Sequence, residues 1–113
     1  MPLERARRVV EVLAERGATD VALLDLRGLT IIADYFVVCT AGSTVQMRAI
    51  RDALDREPVP PAASHPKFEG EVTDGWLLAD FGGVVVHVFA PDARAYYRLD
   101  ELWSDAPVVA RFQ

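Results

Sequence analysis

The sequence predicts an α/β fold, a mixed β-sheet with helices packed on it, and three observations carry that expectation. Apolar residues recur at helical spacing near the start, at Leu3, Ala6, Val9, Val10 and Leu13. Residues 34–40 are apolar on both faces, as a central strand covered on both sides should be. Residues 75–89 are two apolar runs joined by Gly82-Gly83, a pair able to take positive φ and so to match the twist of a tight antiparallel hairpin.

Element by element, the first helix should close near Gly17, which suits a left-handed cap. Residues 21–26 read as a strand that Gly28 breaks, and the central strand over 34–40 follows. Gly42 ends that strand. Ser43 then opens a helix, with Gln46 as its capping-box partner and Val45, Ala49, Ala53 and Leu54 as its buried stripe. Four prolines between Glu57 and Lys67 exclude a helix there and predict an exposed loop over 58–66. After the hairpin, Pro91 opens a last helix expected to bury Ala93, Tyr96, Leu99 and Trp103.

A length of 113 residues suits one domain over 1–113 with a single core, and 51% apolar with 26% charged residues is ordinary for a globular chain. Cys39 is the lone cysteine and lies in the apolar run 36–39, where a buried, inert thiol is expected and no internal disulfide can form. The basic residues near the N-terminus precede no signal-type apolar core, and no apolar run approaches bilayer length, so a cytoplasmic protein is expected. The net charge of −5 is uneven: from Glu69 to Asp105 eight acids face only Arg94 and Arg98. Such a surface repels phosphate backbones and argues against direct nucleic-acid binding. It suits a basic protein partner, or it simply keeps a small domain soluble.

Four constellations could carry chemistry, and each has a plainer reading. Gly42-Ser43 with Asp55 and Glu57 superficially matches the nucleotidyltransferase pattern. In those enzymes, however, the two acids alternate along a strand and hold a divalent metal, whereas this pair falls at a helix end before Pro58. Ser43 is better read as a helix cap. His65 and His87 have no Cys or second His at ligand spacing, and His87 reads as a satisfied, half-buried sheet histidine. Ser43, Ser64 or Ser104 with His87 and Asp80 would make a triad in composition only, since none sits in a nucleophile-elbow sequence. Gly82-Gly83 leads into a strand, not into the helix whose N-terminus would hold a phosphate. No catalytic residue, metal site or cofactor is therefore expected. What remains are aromatics. Trp76, Tyr96, Tyr97 and Trp103 can each serve as a core residue or as a contact to another molecule, and alternation along its strand puts Trp76, Leu78 and Asp80 on one face and Leu77 and Ala79 on the other.

The chain resembles the ribosomal silencing factor family, the Iojap-like proteins. The resemblance runs through residues 24–29 and 32–37, Gly42-Ser43-Thr44 with Gln46, Glu69-Gly70, the hairpin from Trp76 to Phe89, and residues 93–97 and 99–106. Each piece is short; their order and spacing, spanning residues 3 to 107, are specific. The resemblance implies a nucleotidyltransferase-like topology without the acidic metal site, and no enzyme. It further implies binding to the large ribosomal subunit through its fourteenth protein, which blocks joining of the small subunit and represses translation, with homodimers often seen. Carried over by position, the partner surface would comprise Glu69, Gly70, Trp76, Leu77, Asp80 and Gly82. Asp34 and Tyr35 match a strong family segment without a role assigned. Gly83 departs from the pattern, standing where many relatives have an acid. Two other classes stay open: a small nucleotidyltransferase-like enzyme using Ser43 with carboxylates, and an adaptor for another basic protein.

Overall fold

A computed structural model describes residues 2–57, 59 and 65–112. Helix α1 spans Pro2–Glu15, followed by strands β1 (Thr19–Asp25) and β2 (Tyr35–Thr40) and helix α2 (Thr44–Arg56). Strand β3 (Lys67–Glu69) leads through a 3₁₀ turn at Val72–Asp74 into β4 (Trp76–Asp80) and β5 (Val84–Phe89). Two short helices, α3 (Pro91–Tyr97) and α4 (Leu99–Leu102), precede a last strand β6 (Val108–Phe112). The strands form one sheet in the order β3-β4-β5-β2-β1-β6. Only β2 and β5 run parallel among these neighbours, so the sheet is mixed as the sequence predicts. Both central strands are buried along their full length, which is why they read as unbroken apolar runs.

Alternation along the strands feeds two cores. On one face Val21, Leu23, Val37, Cys39, Leu77, Ala79, Val86 and Val88 pack against α1 and α2 through Val9, Leu13, Met47, Ile50 and Leu54. On the other, Leu24, Phe36, Val38, Val85 and Phe89 meet Leu99 and Ala106, with Trp76, Leu78, Ala93 and Trp103 partly buried beside them. Cys39 is fully buried, and burial pushes its thiol up to about 12, as expected of an inert cysteine.

The hairpin forms as expected, antiparallel, with Trp76 opposite Phe89 and Asp80 opposite Val85. Its two glycines differ. Gly82 takes φ +96°, whereas Gly83 does not have positive φ; a Cβ there would lie 2.5 Å from an Asp34 carboxylate oxygen, so a larger residue would have to displace that side chain. The Gly83 carbonyl accepts from the amides of both Asp34 and Tyr35, at 2.8 and 3.1 Å, which ties the turn to the start of β2. The segment at Asp34 and Tyr35 thus has a structural task.

Several expectations need correction. The α2 stripe is Met47, Ile50, Ala53 and Leu54; Val45 and Ala49 are exposed, because the larger side chains take the core side. Ser43 caps α2 as expected, its hydroxyl accepting from the Gln46 amide at 3.1 Å, but Gln46 does not close a box on Ser43. Its side-chain oxygen accepts from the Gly42 amide, and its nitrogen donates to the carbonyls of Arg16 and Gly17, joining the start of α2 to the end of α1. The last helix is not continuous: Arg98 sits at φ 54°, the left-handed region, and separates α3 from α4. Tyr96 is therefore 79% exposed instead of buried. Strand β6 is an addition to the expected elements and forms one edge of the sheet against β1. The expected loop over 58–66 lies outside the described residues apart from Val59, His65 and Pro66; Val59 packs into the α1 and α2 core.

Candidate partner-binding surface

Strand β4 presents alternate residues to opposite sides, and this sorts the expected surface residues. Trp76, Leu78 and Asp80 are partly exposed on the side away from α1 and α2. Leu77 is not on that surface: it is 1% exposed and packs in the aliphatic core, so a partner cannot reach its side chain. Glu69, Gly70 and Trp76 come together with Asp74, Leu78 and Tyr97 around a cleft of about 470 Å³. Asp80 and Gly82 lie at the far end of the hairpin, where an Asp80 carboxylate oxygen accepts from the Gly82 amide at 2.8 Å and helps to set the turn.

Close packing shapes the cleft wall. Gly70 has φ +82°, and a Cβ on it would collide with the Trp76 carbonyl oxygen, so only glycine lets the end of β3 lie this close to β4. The Trp76 ring stacks on Phe89 at 5.0 Å between centroids and leans on Tyr97 at 4.5 Å. Tyr97 in turn meets Tyr96 edge-on at 5.1 Å. In the other direction Phe36 meets His87 edge-on at 4.6 Å and Trp103 at 5.6 Å, so aromatic rings cross the sheet from α4 to the cleft.

Electrostatically the cleft offers two carboxylates, Glu69 and Asp74, beside two aromatic rings. One Asp74 oxygen accepts from the Glu71 amide at 3.3 Å. Such a lining favours a cationic group, which gains from the acids and from the ring faces together. His87, expected to be half-buried and satisfied, is instead 4% exposed, and its Nε2 has no hydrogen-bond partner. Its Nδ1 accepts from the Trp76 indole N–H at 3.2 Å, and burial pushes its pKa down to about 4, so the imidazole is neutral.

The enzyme-like residues are scattered and otherwise engaged. Glu57 pairs with Arg16 at 3.1 Å and Arg8 at 3.9 Å, while Asp55 faces His65 at 3.3 Å. Among the described residues no group of three His, Cys, Asp or Glu gathers to hold a metal ion, and no helix is long and apolar enough to cross a membrane. Sequence reasoning missed Asp74 and Leu78 as cleft residues. Alternation already puts Leu78 on the Trp76 side, but the resemblance did not include it in the partner surface; Asp74 is brought in by the 3₁₀ turn, which has no periodic signal.

Comparison with known proteins bears on the chain as a whole. The family model described as "Ribosomal silencing factor during starvation" matches residues 2–113. The ribosomal silencing factor of Halalkalibacterium halodurans is 38% identical over 106 residues, covering 94% of this chain and 91% of that protein. The mouse protein named mitochondrial assembly of ribosomal large subunit protein 1 is 31% identical over 99 residues, covering 85% of this chain and 43% of that one. A crystal structure of a Chromobacterium violaceum protein superposes with a TM-score of 0.84 at 30% identity, covering 92% of this chain and 87% of that one.

Proposed function

The chain belongs to the family of ribosomal silencing factors during starvation, and from that premise we propose that it is a translational repressor that binds the large ribosomal subunit through its fourteenth protein. Bound there, it blocks joining of the small subunit by occupying the space the small subunit needs. The observation that carries this reading is the cleft at Trp76, where aromatic rings and the carboxylates of Glu69 and Asp74 form a recess suited to a basic protein surface. The excess of acids between Glu69 and Asp105 supports the same sign of partner. A mouse relative named for assembly of the ribosomal large subunit supports the choice of subunit. No reaction is needed: the action is steric exclusion, and binding energy does the work.

The test is co-sedimentation with purified large subunits in a sucrose gradient, followed by light scattering as small subunits are added. The expected result is comigration and suppressed joining. Migration at the top of the gradient, or joining at an unchanged rate, overturns the proposal. With the isolated ribosomal protein, raised ionic strength should slow association far more than it speeds dissociation, because salt screens long-range attraction between the acidic face and a basic one. An association rate indifferent to salt would show that the acids only confer solubility. Calorimetry with ATP or CTP and magnesium should give no dissociation constant tighter than about 100 μM, an affinity that would reopen the nucleotidyltransferase reading.

A further inference from the structure

His87 is out of place for a residue needed only for packing. Every residue of β5 is buried, its neighbours are valines and Phe89, and His87 itself is 4% exposed. A valine or phenylalanine would fill such a position without bringing polar nitrogens into the core. Moreover, Nδ1 serves as acceptor, so the proton of the neutral ring sits on Nε2, which has no hydrogen-bond partner. A buried, unsatisfied donor is a cost that stability alone does not explain.

The benefit lies on the next strand. His87 stands opposite Leu78 and diagonal to Trp76, close enough for its Nδ1 to hold the indole N–H, while Phe36 packs edge-on against the imidazole and keeps it in place. We propose that His87 is a positioning residue for the partner surface: it fixes the Trp76 indole in one rotamer and consumes its N–H, so the ring meets a partner through its carbon edge and face alone. This rests on Trp76 being the anchor of the proposed function. It also defines the chemistry of the complementary group. That group must be an apolar or cationic side chain and not a hydrogen-bond acceptor, because the only donor on the ring is already committed inward.

The experiment begins with ¹⁵N-labelled wild-type protein and needs no variant for its first part. Long-range ¹⁵N spectra should show His87 as the Nε2–H tautomer, and the Trp76 indole proton should exchange slowly with solvent. An Nδ1–H tautomer or a freely exchanging indole overturns the proposal. His87→Phe keeps a ring but removes the acceptor; it should speed indole exchange and weaken large-subunit binding by up to about tenfold, the range of one net hydrogen bond. His87→Asn, whose amide oxygen falls near the place of Nδ1, should restore both. If His87→Phe does not fold, His87→Gln replaces it, since its oxygen falls near Nε2 and it should lose binding where His87→Asn keeps it. A folded acceptor-less variant that binds like the wild type sinks the positioning role. Wild-type protein that holds its indole but does not bind large subunits would instead sink the functional reading, and the two failures are thereby told apart.

Discussion

The two faces of the sheet are built from the same strands, and the proposed function gives them different work. The face under α1 and α2 is mainly aliphatic: mostly Val, Leu, Ile and Ala side chains, with Tyr35 and Phe81 among them, packed under two helices of 14 and 13 residues. The other face carries Phe36, Trp76, Phe89, Trp103 and a histidine among its aliphatic residues, and the helices beside it, α3 and α4, have only 7 and 4 residues. Branched aliphatic chains fill space densely and supply stability without needing any polar group to be satisfied. Rings with a polar handle cover area while leaving an edge for another molecule. On the proposed reading strand β4 holds both tasks in adjacent residues, Leu77 on the helix-covered side and Trp76 on the other.

That pair gives the sharpest way to break the comparison. Leu77→Ala should cost about 3 to 5 kcal/mol of stability, measured by urea unfolding, with unchanged large-subunit affinity in the fraction that remains folded. An undiminished unfolding midpoint would mean that the aliphatic face is not what stabilises the fold. Next in size is the pH response of the aromatic face. Burial holds the folded pKa of His87 at about 4 against an ordinary 6.5, so below pH 6.5 the unfolded chain takes up a proton that the folded one refuses. Stability from this group is fully present above pH 6.5 and is lost as pH falls towards 4, by up to about 3 kcal/mol. Unfolding curves across that window should be steeper in pH for the wild type than for His87→Asn; identical slopes would place the imidazole in water.

Trp76→Ala should cost about 2 kcal/mol of large-subunit binding, a thirty-fold loss, with a smaller loss of stability than Leu77→Ala. A mutant that binds with wild-type affinity removes Trp76 from the surface, and one that unfolds outright returns it to the core. The smallest effect belongs to neither face. Ser43→Ala removes the hydroxyl that accepts from the Gln46 amide and should cost about 1 kcal/mol in thermal unfolding while leaving binding untouched.

Much of this division was written in local pattern. The hairpin, the two central strands, the first helix and the Ser43 cap all follow from spacing and turn chemistry, and the alternation along β4 already separated Trp76 from Leu77. Placing Leu77 on the partner surface by resemblance went against that alternation. The phase of α2 was misread because Val45, Ala49, Met47 and Ile50 give two plausible stripes, and only packing against α1 decides for the bulkier pair. The break at Arg98 was invisible because a left-handed arginine has no sequence signal comparable with glycine. Strand β6 was missed since its short run has meaning only beside β1, far away in sequence. The cleft was half legible: one wall alternates along a strand, but Tyr97 reaches it from a helix whose docking no local pattern encodes.

The parallel pairing of β2 with β5 has a consequence for how the chain is made. The two innermost strands are separated by α2, β3 and the whole of β4, so the centre of the sheet cannot close until residue 89 is available. Pairing so remote in sequence is entropically slow. A β1–β2 pair formed earlier would expose strand edges until the hairpin docked against β2 and β6 against β1. The bond from the Gly83 carbonyl to the amides of Asp34 and Tyr35 lies where that docking begins, which makes the glycine turn a latch for assembly as well as a corner.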